Sequence, residues 1–192
     1  MGNGLISVRD VDATAETIAL IEQQPNLADK SFRVTSPSCR AYNCAAWAVG
    51  EDWRKWDPAP GPDGEILAPY YWPRGAPVLP TTDALEAAYA TRGYSRCDNG
   101  DLVVGEEKIA IYGDGKGDWK HVASQTADGR WASKMGGLAD IEHDNTAIVE
   151  SVSMGRIERF LSRKIVRKGL PPAPKRLLLP PGVVAALKDP EL

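Results

Sequence analysis

The segment Arg40-Ala41-Tyr42-Asn43-Cys44-Ala45-Ala46-Trp47-Ala48-Val49-Gly50 passes from a polar turn straight into an alanine-rich apolar stretch. That change predicts a buried helix, running to about Glu51, with Cys44 at its start. A helix N-terminus carries unpaired amide donors and a partial positive charge. Both favour a thiolate over a thiol, and the same amides can feed an oxyanion site. The chain has only two histidines, and His121 lies in the apolar, strand-like segment Lys120-His121-Val122-Ala123-Ser124. A cysteine opening a helix and a histidine on a later strand is an order suited to thiol chemistry.

Outward from this segment the chain reads as one α+β domain. Asp12 to Gln24 has the spacing of an amphipathic helix, with Ile18, Leu20 and Ile21 inward and Asp12 or Thr14 as cap. Ser31 to Ser38 is a short extended piece ahead of the Cys44 helix. From Asp57 to Pro80 proline and glycine are frequent, with Tyr70, Tyr71 and Trp72 embedded, so the stretch reads as a long ordered loop. Thr82 to Arg92 is a second helix, capped at Thr81, Thr82 or Asp83 and ended by Gly93.

Strand patterns follow. Tyr94 to Cys97, Lys108 to Tyr112 and Lys120 to Gln125 are candidates. Ala127-Asp128-Gly129-Arg130 carries a hairpin signal, so Trp131 to Met135 should return antiparallel to the His121 strand. Met154 to Ile165 adds a last strand or strand pair. The expected organisation is a flanking helix in residues 1–30, a core domain in 31–168 and a proline-rich tail in 169–192.

Composition excludes several function classes. Among 192 residues, 23 Lys and Arg face 26 Asp and Glu, which gives no general attraction to nucleic acid or to an anionic membrane. The basic stretch from Arg156 to Arg176 reads as a solvated face or tail. Three cysteines, Cys39, Cys44 and Cys97, are too few and odd in number for a disulfide framework. Cys39 and Cys44 are spaced wrongly for zinc, and no metal or other cofactor is expected. Gly113-Asp114-Gly115-Lys116-Gly117-Asp118 lacks the Ser or Thr of a phosphate-binding loop and reads as a turn. The first residues carry no signal-peptide pattern and no apolar run reaches membrane-span length, so a cytoplasmic location is expected, with signal-less export left open.

This order of elements resembles the papain-like thiol hydrolases of the NlpC/P60 and CHAP kind. The resemblance is carried by Asn43-Cys44 at the nucleophile position and by Lys108-Ile109-Ala110-Ile111-Tyr112, a glycine-rich turn, and His121-Val122-Ala123 as the strand-turn-histidine unit. Tyr42 to Ala48, Tyr71-Trp72-Pro73 and Trp131 to Gly136 with His143 also resemble an uncharacterised bacterial domain family. The likeness spans roughly Ser31 to Arg163. It departs from typical NlpC/P60 members, which place Asp-Cys-Ser-Gly at the nucleophile, and so gives no ground for a peptidoglycan substrate.

The resemblance implies a cysteine hydrolase or acyltransferase acting on a peptide-like or acyl substrate, with Cys44 as nucleophile and His121 as base. The hairpin register sets Ser133 or Lys134 across from Val122 or Ala123, so one of them could orient the imidazole. Ser133 is preferred on chemistry, with Asp140, His143 and Asp144 of the following loop as alternatives. Oxyanion or substrate contacts are expected from the Cys44 amide, Asn43, Ser38, Trp47, Tyr71, Trp72, Lys134 and His143. The alternative is a non-catalytic binding module on the same scaffold, as in a bacterial toxin or effector system, using the aromatic loop.

Overall fold

The computed structural model describes residues 13–165. Asp12 and the proline-rich tail lie outside them. The element order is α1 (Ala13–Gln23), β1 (Phe32–Val34), α2 (Cys44–Trp47), β2 (Lys55–Trp56), β3 (Tyr70–Tyr71), α3 (Thr82–Ala90), β4 (Ser95–Cys97), β5 (Glu106–Gly113), β6 (Trp119–Gln125), β7 (Trp131–Lys134), β8 (Asp140–His143) and β9 (Arg156–Lys164). Short 3-10 turns follow α1 at Pro25–Leu27 and β8 at Thr146–Val149. Seven strands form an antiparallel sheet in the order β1-β8-β7-β6-β5-β9-β4, while β2 and β3 make a small parallel pair. The architecture is α+β.

The sheet is covered on both faces. Ile109, Ile111, Val122 and Leu161 meet α2 and α3 through Cys44, Ala45, Leu85 and Tyr89. Ala110, Tyr112, Ala123, Trp131 and Ile141 meet Leu20 of α1, Leu27 and the Ile148-Val149 turn. Alternate residues of one strand feed alternate faces. Because both faces are buried, β5 is apolar and enclosed from Lys108 to Gly113, which explains the unbroken Ile-Ala-Ile run.

Local chemistry sets the helix ends. Thr81 caps α3 by accepting from the Ala84 amide, and Ala84, Leu85, Ala88 and Tyr89 form its buried stripe. Gly93, at φ +81°, takes the chain out of the helix. The Tyr89 hydroxyl donates to the Ala45 carbonyl at 2.8 Å and its ring stacks on Trp56, which locks α3 against α2.

Several elements differ from the sequence reading. The Cys44 helix ends at Trp47 and not near Glu51, because the next amides bond three residues back and Gly50 turns at φ +80°. Ile18 is 54% exposed on α1, so only Leu20 is fully buried of the three residues placed inward. The loop from Asp57 to Pro80 contributes β3, which joins β2 beside Trp56. Asp140 to His143, read as loop, is a strand between β1 and β7. Met154 to Ile165 gives one strand, whose Arg159 and Arg163 pair with Asp83, Glu86 and Glu107.

Two glycines fix the β5–β9 corner. A Cβ on Gly155, at φ +78°, would stand 2.4 Å from the Gly113 carbonyl oxygen, whereas one on Gly105, at φ +87°, would meet nothing within 4 Å. Gly105→Ala should therefore cost only the left-handed backbone penalty, about 1–2 kcal/mol. Gly155→Ala adds a clash with backbone that cannot rotate away. Its urea midpoint should fall clearly below that of Gly105→Ala, and equal midpoints would show that the corner yields.

Candidate functional site

Asn43 builds the start of α2. Its Oδ1 accepts from the amides of Ala46 and Trp56, and its Nδ2 donates to the Trp56 carbonyl at 2.7 Å. One side chain thus caps the helix and staples it to β2. Both side-chain polar atoms of Asn43 are engaged in this way, which gives it a structural role at the helix start.

Cys44, the first helical residue, is 8% exposed. Burial pushes its thiol up to about 11, against the pull of the Val122, Ala45 and Cys44 amides and of the Lys134 charge. Desolvation outweighs the helix start, which in a helix this short supplies little dipole. The resting group is therefore a thiol. All three cysteines are free.

The amide acting on the sulfur from across the site belongs to Val122, the residue after His121. The β6–β7 ladder pairs only Ala123, Ser124 and Gln125 with β7, and α2 packs against both strands. Val122 shares a cluster with Cys44. The His121 ring lies 5.4 Å from the Tyr112 ring, on the side that Ala110 and Ala123 also line. Sulfur and imidazole thus approach β6 at the same peptide from its two faces.

His121 is buried, with its Nε2 3.0 Å from the Ser133 Oγ. The same oxygen lies 2.9 Å from Nε2 of His143, whose Nδ1 is 2.8 Å from the Asn145 carbonyl oxygen. Ser133 stands opposite Ala123 as the hairpin register requires. His143 is 1% exposed and not the exposed loop residue its acidic neighbours suggest. Burial holds the His121 imidazole down at about 3, with the nearby His143 adding to the effect, and burial also lowers His143. Both rings are neutral at pH 7.

The remaining candidates fall into place around this core. Lys134 is fully buried, with Nζ 3.4 Å from Asp140 Oδ1, donating to the Leu138 carbonyl and 4.9 Å from the Tyr42 ring centroid. Asp140 Oδ1 accepts no hydrogen bond, so its contact with Lys134 is Coulombic, while Oδ2 accepts from the Tyr42 hydroxyl at 2.8 Å. Ser38 is drawn away from Cys44, bonding Glu16 of α1 through both amide and hydroxyl. The Trp72 indole donates to the Pro77 carbonyl inside the loop. Tyr71 carries the Arg54 guanidinium over its ring at 3.5 Å. Trp47 lines a groove of about 450 Å³ with Val49, Tyr94, Glu107 and Arg163, beyond the C-terminal end of α2. Among the described residues no group of three His, Cys, Asp or Glu could hold a metal, and no helix is long and apolar enough to cross a membrane.

A family model described as a domain of unknown function, DUF7689, matches residues 33–162, about two thirds of the chain. The chain belongs to the DUF7689 family. The matched span opens within β1 and closes within β9, so it takes in the seven-stranded sheet, Cys44, His121, Ser133 and His143, and leaves out α1. No curated protein and no solved structure matches this DUF7689 chain.

The neutral histidines make the fold acid-sensitive. A histidine that titrates at 6.5 when unfolded and at about 3 when folded binds its proton preferentially in the unfolded chain between those values. Stability is therefore complete above pH 6.5 and is lost as pH falls toward 3. The His121 contribution should be down by about 2 kcal/mol at pH 5, a window above the carboxylate range. Urea midpoints at pH 7, 6 and 5 should decline in step, and a flat series would contradict neutral burial.

Proposed function

We propose that this domain is a papain-like thiol hydrolase or acyltransferase that cleaves or transfers an acyl group at an amide or ester bond. Cys44 is the nucleophile and His121 the base. The observation that carries the reading is the packing of an Asn43-capped cysteine at the start of α2 in one cluster with Val122, the residue that follows His121 on β6. A buried imidazole already bonded to Ser133 supports it.

The chemistry differs from a preformed ion pair. Thiol and imidazole are both neutral at rest, so His121 takes the proton as the sulfur attacks, and returns it to the leaving group. The sulfur–carbon bond forms as the scissile bond breaks, and water or an acceptor nucleophile then releases the enzyme. Amides at Val122, Ala45 and Cys44 are the donors near the sulfur available to a developing oxyanion, a contribution of about 3 kcal/mol for one such donor. Because β6 separates the sulfur from the His121 ring, direct transfer of this proton requires the start of β6 to move.

One observation favours a binding module instead. Trp53 is 65% exposed and Tyr70 38%, with Arg54 lying over both the Trp53 and Tyr71 rings, while the Cys44 sulfur is enclosed. Such an aromatic surface with a held guanidinium suits a partner.

An acyl-donor activity probe read by peptide mapping separates the two. The hydrolase reading expects Cys44 to be modified ahead of the more exposed Cys39 and Cys97, at a rate that falls at least about 100-fold in His121→Ala. Modification of all three cysteines at comparable rates, unchanged in His121→Ala, would leave the binding module.

A further inference from the structure

We propose that His143 is a positioning residue that fixes the tautomer of His121 through the Ser133 hydroxyl. The inference starts from one atom that has no choice. The Asn145 carbonyl oxygen can only accept, so His143 Nδ1, 2.8 Å away, must carry a hydrogen. Asn145 is itself held, because its side chain accepts from the Ala147 amide and caps the 3-10 turn that follows.

Polarity then propagates across three strands. A neutral imidazole has one N–H, so with Nδ1 protonated the Nε2 of His143 is a bare acceptor. Its neighbour at 2.9 Å is the Ser133 hydroxyl, which donates its single hydrogen there. Toward His121 the Ser133 oxygen has only a lone pair to offer. His121 Nε2, at 3.0 Å, therefore carries the hydrogen, and His121 Nδ1 is left bare. The two rings hold opposite tautomers, and the chain delivers a proton-accepting nitrogen on the one histidine assigned as base. That consequence rests on the hydrolase reading, whereas the tautomers themselves do not.

The burial of all three members makes the arrangement specific. His121 and His143 are each 1% exposed and Ser133 is fully enclosed, so water does not compete for these bonds. Protonating His143 on Nε2 would turn the Ser133 hydroxyl round toward His121 Nε2 and move the His121 hydrogen to Nδ1. The base would be lost without any strand moving. Burial disfavours that state at neutral pH.

With two histidines in the chain, imidazole nitrogen NMR of ¹⁵N-histidine-labelled protein at pH 7 reads the answer directly. One ring should show a protonated Nδ1 and the other a protonated Nε2, with Ser133→Ala assigning them. In that variant the His143 ring should keep its Nδ1 hydrogen through Asn145, and His121 should populate both tautomers. Ser133→Thr, which retains the hydroxyl, should restore the single form. Matching tautomers in the unaltered protein, or a His121 signal indifferent to Ser133→Ala, would overturn the proposal. The unaltered spectrum decides even where a variant does not fold. Opposed tautomers with Cys44 unlabelled by the acyl probe would remove the hydrolase reading and keep the relay, and matching tautomers with Cys44 labelled would do the reverse.

Discussion

The registration of β6, β7 and β8 is the constraint from which the site follows. Ser133 stands opposite Ala123 on one side and Ile141 on the other, while His121 and His143 each lie two residues along from those partners. Positions two apart on a strand share a face, so both histidines reach Ser133 along diagonals of the sheet. A diagonal neighbour is too far for two short side chains but within reach of a long one, which is why a small serine sits at the centre between two imidazoles. A slip of one residue in either ladder would send one histidine to the opposite face and orphan the hydroxyl. The asymmetry of hydrogen bonding, modest to make and costly to leave unmade in the interior, turns this row into a strong statement of register.

The same burial governs the electrostatics. A cysteine at a helix start is expected to ionise easily, yet the Cys44 thiol is pushed up to about 11 while the His121 imidazole is held at about 3. Helix dipole and amides act over one short turn, whereas desolvation acts on the whole charge, and in a nearly enclosed site the larger effect prevails. A neutral thiol on one face of β6 and a neutral imidazole on the other is the arrangement with least charge in low dielectric. Any attack by Cys44 thus creates its charges only as bonds change, where amides pre-aimed at the sulfur stabilise them without further reorganisation.

How far this was legible in the sequence depends on which signals are local. The Asp128-Gly129 turn counts residues across a hairpin, so Ser133 or Lys134 could be set across from Val122 or Ala123 without knowing the fold, and the structure selects Ser133 opposite Ala123. The apolar run of β5 likewise announced a strand, while its coverage on both faces came only with the fold. His143 was hidden because Asp140, Glu142 and Asp144 give β8 the composition of a loop. The alternation beneath it was masked by Asp140, a carboxylate buried only because Lys134 and Tyr42 meet it. Alanine propensity lengthened the Cys44 helix on paper, whereas the three-residue bonding before Gly50 shortened it. The partners of Ser38 and Asn43, Glu16 and Trp56, are set by tertiary packing that local sequence does not encode.

Accounting for those partners narrows the chemistry more than proximity does. Around Cys44 the polar side chains are committed: Asn43 to the helix start and Trp56, Tyr42 to Asp140, and Lys134 to Asp140 and the Leu138 carbonyl. A buried ion pair broken by removing one member leaves an uncompensated charge, typically at a cost of about 3–5 kcal/mol, so Lys134 is bound to a structural duty it cannot leave during a reaction cycle. Its positive charge still acts on the sulfur at a distance. What remains to engage a reacting carbonyl is backbone amide at Val122, Ala45 and Cys44, together with whatever proton acceptor His121 presents. The site is thus defined less by the groups gathered there than by the few that the fold has left unspent.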